Sequence, residues 1–581
     1  MSLLSALQAL SPAALYKHAD SALATMTDSS GNARHGSYQA NAKLKAFGLG
    51  NDRTTGTAYR CPGAGSSCLA LPLAGAVWNS NTWTHVCVVR CWGFEDPGGA
   101  VWCADTNGVF DTPAVRFEAG AGQSYRPTIA LRWGGLGNAA TVDIGDTHLW
   151  HLVICRVNNL TAGSIRIDGV DATPVLWTNQ AYTFSGAPQP TIGDNFGRFV
   201  LQYTAWWPSY LSNANCQTIE AAFNAENVTP VPTRSFYIGT HTNLDDQADA
   251  GIRANQTRVL LRDGGNVTRT DALVDQWNTG SGTYDFARLD TVFADCATKG
   301  IRVWLLLHGS AAYMNSSAGR FAVPGTGIDS AFNTWLGLQQ TAIGALAARY
   351  KAGGAGNPNG LSPIYELWNE PNSQSEWKTQ NGAAGPDATQ WARYCKNVGG
   401  TTIPAADPAG IIVTGGINSW SAPGGGDIAG ETFWRTAFGT GDLAGFTRFG
   451  IHPYPSSGAG PDDNSNSSNA YNDTLVAIDV LGELGFGTAE LWITEIGWNA
   501  SVSQADQDTK TRVAALRWRD RWRGLGIPSF IDWPDWSAGS DGLYTSMPTD
   551  GSNPAARAAA ATYSRLMRSV TIGERVGGIS I

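Results

Sequence analysis

Charge is scarce in this chain. Of 581 residues only 15% are Asp, Glu, Lys or Arg, and the excess is acidic, 48 against 39, for a formal net charge of −9. No broad basic field is present to neutralise phosphates, which excludes nucleic acid as the main partner. Long apolar runs are missing as well: the longest strongly apolar stretch lies near Val303–Leu307, against the roughly 18 residues a membrane helix needs. No basic residue precedes Lys17, so Met1–Leu10 lacks the charged front of a secretory signal, and none is expected. The nine cysteines include no C-x-x-C pair for zinc, and their odd total leaves at least one free thiol. Cys61 and Cys68 flank a small loop they could close; the other reading is of buried, small apolar residues on strands. No G-x-G-x-x-G follows a strand and opens a helix, which disfavours a dinucleotide-dependent oxidoreductase.

What is abundant is Gly (69), Pro (27) and Trp (23). The 10% aromatic content excludes a disordered chain. The length implies two or more domains, with enough chain for a large barrel core. Trp serves both as a core residue and as a stacking platform for sugar rings.

Residues 10–230 alternate short β-rich runs with turn residues: Trp83–Trp92, Ala114–Phe117, Thr128–Trp133, Thr147–Val157, Ser164–Ile167 and Phe199–Trp206. This spacing, with no helical period of any length, predicts a β-sandwich whose strands each bury one face, as in His151–Val157. His148 and His151 form H-x-x-H, but on a strand a spacing of three puts them on opposite faces, so no metal is expected there. The run Asp28–Gly36, the stretch from Trp150-His151 to Asp168-Gly169, and the segment from Ile192 to Ile219, with its final strand and Leu-Ser helix start, resemble the laminin-G-like, concanavalin-type jelly-roll domains. That resemblance implies an all-β jelly-roll over residues 1–230, with a role in attachment or sugar contact. Relatives bind calcium or sugars at loop tips, yet no acidic cluster here fixes such a site.

The texture changes at Asn227–Thr233, whose two prolines make a stiff linker. Beyond it, eight β-rich runs alternate with helical patterns: Phe236–Gly239, Thr257–Leu261, Ile301–Leu307, Pro363–Leu367, Ile411–Thr414, Gly450–His452, Glu490–Thr494 and Ser529–Ile531. Phe286, Leu289, Phe293 and Cys296 recur at helical spacing until Gly300 stops them, and Asp506–Trp522 reads as another helix. Eight such units over residues 231–570 predict a (β/α)8 TIM barrel, followed by a tail at 571–581. The strand ends at the C-terminal rim are then the place to seek reactive groups.

Two acidic strand ends stand out there: Tyr365-Glu-Leu-Trp-Asn-Glu370-Pro-Asn372 and Leu491-Trp-Ile-Thr-Glu495-Ile-Gly-Trp498. A carboxyl beside Trp in a mouth of low polarity is held protonated and can act as an acid. A second carboxylate across the barrel attacks or activates water, and such pairs cleave glycosidic bonds. A single Glu among 48 acids would be an ordinary strand-end residue; two in these contexts, three strands apart, are not.

The pattern closely resembles the clan A glycoside hydrolases, the TIM-barrel group with cellulase-like and xylosidase-like members. The resemblance implies that Glu370 is the acid/base, Glu495 the nucleophile, and Asn369 the hydrogen-bonding partner of the sugar 2-hydroxyl. "FGIHPYP" places His452 and Tyr454 beside the nucleophile, and "FIDWPDW" makes Trp533 the sugar platform. The strand-two Arg of the clan falls on Arg258 or Arg262, with Arg258 favoured by its place after the turn. His308 ends strand three and lines the cleft. No metal or cofactor is implied. The expected activity is retaining hydrolysis of a polysaccharide or cell-surface glycan. The alternatives are a non-catalytic carbohydrate-binding adhesin and a structural phage tail protein. A jelly-roll at the start with no export signal points to a virion tail or extracellular location, with other tail proteins as partners.

Overall fold

The computed structural model describes residues 1–20, 25–38, 42–49, 58–62, 69–70, 82–94, 100–103, 114–120, 123–132, 139–143, 149–158, 162–171, 175–176, 191–192, 197–228, 236–241, 265–316, 318–379, 386–418, 420, 427–454, 470–497, 504–520 and 522–532. The chain forms two compact units: Met1–Val231 with residues 462–467 and 474–488, and Pro232–Pro461 with residues 468–473 and 489–581.

The first unit holds two antiparallel sheets, of nine and seven strands. In the larger sheet, His151–Asn158 lies between Trp83–Phe94 and Ala162–Ile167. All of its residues but Asn158 are buried, so both faces are covered rather than the one expected. A helix over Asn213–Glu226, at the Leu-Ser helix start that the jelly-roll resemblance implied, accounts for part of that cover. Ser212 caps it by accepting a hydrogen bond from the Asn215 amide. Its Glu220 forms a buried ion pair with Arg166, while Arg156 donates to the Leu211 carbonyl and to Asn213.

The Asp28–Gly36 run is a side-chain-organised loop. The Asp28 carboxylate accepts from the amides of Leu15, Ser30 and Arg34 and from the Ser30 hydroxyl, at 2.8–3.0 Å. His148 lies outside the described residues; His151 Nδ1 sits 2.7 Å from the Asp168 carboxylate. Cys87, Cys155, Cys216, Cys296 and Cys395 are buried free thiols, and burial pushes each of them up in pKa. Cys68 and the Cys61 side chain lie outside the described residues.

The second unit is a parallel eight-stranded barrel. Its strands are β1 (Tyr237–His241), β2 (Val267–Leu273), β3 (Arg302–His308), β4 (Ile364–Asn369), β5 (Ile411–Gly416), β6 (Arg448–Ile451), β7 (Glu490–Ile496) and β8 (Ser529–Asp532). They pair in the order β5-β4-β3-β2-β1-β8-β7-β6, and a parallel bridge between Ile417 and Ile451 joins β5 to β6. Val267, Trp304, Ile364, Val413, Trp492 and Ile531 fill the interior as one cluster, the packed layer this architecture needs. The anticipated helix at 286–296 is Ala287–Lys299, closed by Gly300 in the left-handed conformation (φ 67°).

Seven strands lie where the sequence pattern placed them. The second does not: Thr257–Leu261 falls outside the described residues, and β2 is the more polar run Val-Thr-Arg-Thr-Asp-Ala-Leu. Candidates Arg258, Arg262, Trp498 and Trp533 also fall outside the described residues, as does the tail.

Candidate active site

Above the apolar layer the barrel interior turns polar, and the first group met is a buried arginine that the sequence reading passed over. Arg269 on β2 has no exposed surface. Its Nε donates to Glu366 Oε2 on β4 at 2.7 Å, its Nη1 to Glu495 Oε1 on β7 at 2.5 Å, and its Nη2 to Asn369 Oδ1 at 3.4 Å. Glu366 also accepts from the Trp304 indole (3.0 Å) and the Gly416 amide (3.2 Å). Burial raises the pKa of Glu366, but the charge of Arg269 outweighs it and holds the carboxyl down at about 2. Arg269 thus ties three strands together by satisfying two buried carboxylates at once.

That arrangement sets a stability test. Arg269→Met leaves Glu366 buried with only His452 as counter-charge, which is expected to cost about 3–5 kcal/mol in urea unfolding at neutral pH. The pKa of Glu366 is lowered on folding, so its contribution is present above about 4.5 and lost as pH falls through about 2. The gap between wild type and variant should therefore narrow over that window. A gap of constant size would show that the pair is not its source.

The two candidate catalytic carboxylates reach the cleft through local irregularities. On β4, Trp368 takes a left-handed conformation (φ 78°) and drops out of the ladder between the pairs Leu367–Thr414 and Asn369–Gly416. Its ring turns outward against Trp335, Trp377 and Tyr394, so the following Asn369 faces the interior. Glu370 is left-handed as well (φ 38°), and two such non-glycine residues in three positions store strain at this strand end. Gly415 on β5 makes room, since a Cβ there would lie 2.4 Å from the Trp368 carbonyl oxygen. On β7, one extra residue stands between the pairs Ile493–Phe530 and Ile496–Asp532. That irregularity lets Glu495 face the same space as inward-pointing Trp492.

The expectation of a Trp beside Glu370 therefore needs correction. Trp368 packs away from the cleft, and the groups around Glu370 are polar. His452 Nδ1 lies 2.9 Å from Glu370 Oε1, and the Asn418 amide donates to Oε2 at 3.0 Å. Asn372 fixes Asn418 in turn, accepting from its backbone amide and donating to its carbonyl. Glu495, with a side chain 5% exposed, accepts from the Tyr454 hydroxyl at 2.8 Å. Burial and then the charges of Glu495 and Glu370 push the Tyr454 phenol well up, so it stays a donor. Burial lowers the pKa of His452, but Glu495, Glu366 and Glu370 outweigh it and raise it to about 9.

The structure thus brings together Glu370, Glu495, Asn369, His452 and Tyr454, with one oxygen of each glutamate and a His452 nitrogen all within 4.8 Å. Three such ligand atoms are also the start of a metal site. The three carboxylates around His452 favour its protonated form, and a metal ion would have to displace that proton.

His308 ends β3 at a second corner of the cleft. Nε2 lies 3.4 Å from Asp271 Oδ1 and Nδ1 lies 3.9 Å from Glu376 Oε2. The Phe321 ring packs alongside it (centroids 5.5 Å apart). Arg269, Glu366, Asn418 and Glu376 were not singled out from sequence. Only Arg269 carried a signal, a lone charge amid the β-branched run Val-Thr-Arg-Thr.

No family model matches this chain, and no curated protein does. Solved structures do resemble it. A family 39 glycoside hydrolase from the gut symbiont Bacteroides cellulosilyticus WH2 has 14% identity and a TM-score of 0.41, covering 84% of this chain and 77% of its own. A glucosidase from Croceicoccus marinus has 14% identity and a TM-score of 0.41, covering 59% and 69%. Xylanase 10B from Thermotoga maritima has 13% identity and a TM-score of 0.38, covering 58% of this chain and 97% of its own. At these identities and scores the likenesses do not bear on chemistry, and the functional argument rests on the side chains of the barrel mouth.

Proposed function

We propose that the barrel is a retaining glycoside hydrolase in which Glu495 is the nucleophile and Glu370 the acid/base. One observation carries this reading: two carboxylates from opposite sides of a buried cleft, with oxygens within 4.8 Å, Glu495 held by Arg269 and Tyr454, Glu370 by Asn418, and His452 facing both. That proximity favours the close carboxyl spacing of double displacement, about 5–5.5 Å, over the roughly 6.5–9.5 Å that an inverting water needs. Arg269 and Tyr454 both donate to Glu495, which keeps it an anion aimed at the anomeric carbon. Glu370 sits on the protonated His452, whose Nδ1 proton it takes up as it protonates the leaving oxygen, and on Asn418, and it takes a proton from water in the second step. Asn369, whose oxygen accepts from Arg269, would meet a hydroxyl beside the reacting carbon.

The first unit, with no acid/base pair of this kind among its described residues, would serve attachment or sugar contact, as its jelly-roll resemblance implies. A virion tail is the location we favour for such a chain. The test is a panel of polysaccharides and cell-surface glycans with reducing-end detection, run in excess chelator, followed by NMR of the first-formed anomer. Release of reducing ends with retained configuration is the expected result. Inverted product would remove the assignment of Glu495 as nucleophile, and activity lost to chelator would restore the metal reading.

A further inference from the structure

Glu370 opens a tight turn. Pro371 and Asn372 are its central residues, and the Ser373 amide closes it by donating to the Glu370 carbonyl at 2.8 Å. The fixed φ of proline suits the first of those positions. Just beyond, the amides of Glu376 and Trp377 donate to the Ser373 carbonyl, and the Trp368 indole donates to the Glu376 carbonyl at 2.8 Å. Asn372 is thus seated in a loop fastened on both sides, and only 1% of its surface is exposed.

The Asn372 side chain is spent on the two ends of residues 418–428, the stretch that follows β5. Its Nδ2 donates to the Asn418 carbonyl and, at 2.9 Å, to the Ile428 carbonyl, while Oδ1 accepts from the Asn418 backbone amide at 3.0 Å. The Asn372 carbonyl accepts from the Ile428 amide at 2.9 Å. Two carbonyls on one side and an N–H on the other fix which way the side-chain amide faces. Alanine would reach none of these groups, and aspartate would turn an oxygen toward both carbonyls. Asn418 therefore has its N–H and its C=O on one side chain, and its own Nδ2 donates to Glu370 Oε2 at 3.0 Å. Asp427 serves the same neck differently, accepting from the Ser373 hydroxyl and the Gln374 amide.

We propose that Asn372 is the positioning residue of the acid/base: by holding both backbone groups of Asn418 it aims that residue's amide at Glu370 Oε2, and so fixes the plane of the carboxyl that serves the leaving oxygen. The inference rests on the glycosidase reading and deepens it, because it gives the aim of Glu370 to a buried residue that meets no substrate. His452 Nδ1 holds the other oxygen, Oε1, at 2.9 Å, and it also lies 3.5 Å from Glu495 Oε2. A carboxyl held at one oxygen swings about that bond; held at both, it presents a single geometry. A displacement on the order of 1 Å at a reacting group costs about 100-fold in rate. Glu495 is held separately, by Arg269 and Tyr454, so loosening Asn418 disturbs the acid/base and leaves the nucleophile in place.

The experiment compares wild type, Asn372→Ala, Asn418→Ala and the double variant on two glycosides of the sugar that wild type turns over fastest, one with an alkyl and one with a dinitrophenyl leaving group. On the alkyl compound Asn372→Ala is expected to lower kcat/KM about 10- to 100-fold. On the dinitrophenyl compound, which departs without a proton, the change in kcat/KM should stay under about threefold. There kcat and KM should fall together, because the intermediate waits for a misaimed base, and azide should restore kcat. The double variant should match Asn418→Ala within about twofold, since Asn372 acts through Asn418. Equal losses on both leaving groups, or losses that multiply in the double variant, would overturn the proposal.

A second arm needs no substrate. In a crystal structure of Asn372→Ala, Asn418 Nδ2 should lie beyond about 3.5 Å from Glu370 Oε2, out of hydrogen-bond reach. Should Asn372→Ala not fold, the nearly isosteric Asn372→Asp takes its place in both arms, with the same contrast between leaving groups expected. If wild type cleaves no glycoside, the glycosidase reading falls alone. The crystal structure then decides the contact, and an Asn418 amide still donating to Glu370 in the variant refutes it.

Discussion

Replacing Glu495 by glutamine is expected to lower turnover by about 10^5-fold on every substrate, whatever its leaving group, because an amide cannot form the glycosyl ester. The substitution is nearly isosteric. Its oxygen can still accept from Arg269, and the Tyr454 hydroxyl can rotate to accept from its NH2, so the urea midpoint should move far less than in Arg269→Met. Turnover of dinitrophenyl glycosides and the unfolding midpoint, measured together, separate chemistry from folding. A variant that stays within tenfold of wild type would pass the nucleophile's role to another carboxyl of the cluster, Glu370 or Glu376.

Glu370→Ala is expected to behave differently with each leaving group. A dinitrophenolate departs without a proton, so formation of the glycosyl-enzyme should survive, visible as a burst equal to the enzyme concentration. An alkyl or sugar leaving group needs the proton, and its kcat/KM should fall about 10^2–10^4-fold. Hydrolysis of the intermediate then lacks its general base and becomes slow. Azide attacks without one, so it should restore turnover and yield a glycosyl azide of retained configuration. No burst, or an azide product of inverted configuration, would rule out the two-step course.

Much of the barrel was legible because its strands are short apolar runs in a strand–helix rhythm, and because Trp-Asn-Glu-Pro and Ile-Thr-Glu sit at strand ends where the chain leaves the core. β2 was missed for a physical reason. Near the mouth an inward-facing strand carries the polar groups of the site, so Val267–Leu273 looks less like a strand than the apolar Val259–Leu261 upstream. Glu366 was passed over because it reads as the middle of a hydrophobic strand. Only the folded barrel shows that Arg269 and Trp304 meet it there. Glu376 is invisible for the opposite reason: it lies in a polar loop, and its burial depends on the Ser373 turn and the Trp368 indole. The Trp residues misled most. Local sequence puts Trp368 beside Glu370, and one left-handed residue sends it to the other side of the strand.

On the function proposed for the barrel, that reversal makes the helix-facing aromatic cluster an alignment device for a reaction it never touches. Trp368 grips the loop bearing Glu376 from behind through its indole and, by its own backbone, turns Asn369 inward, while Trp335, Trp377 and Tyr394 keep its ring in place. Trimming any of these rings would leave every substrate contact chemically intact yet misaim them, producing enzymes that bind normally and react slowly. Laboratory selection for new substrates would then find its freedom in the rim loops, and a search for thermal robustness that repacked this cluster would trade away catalysis from a layer the sugar does not reach.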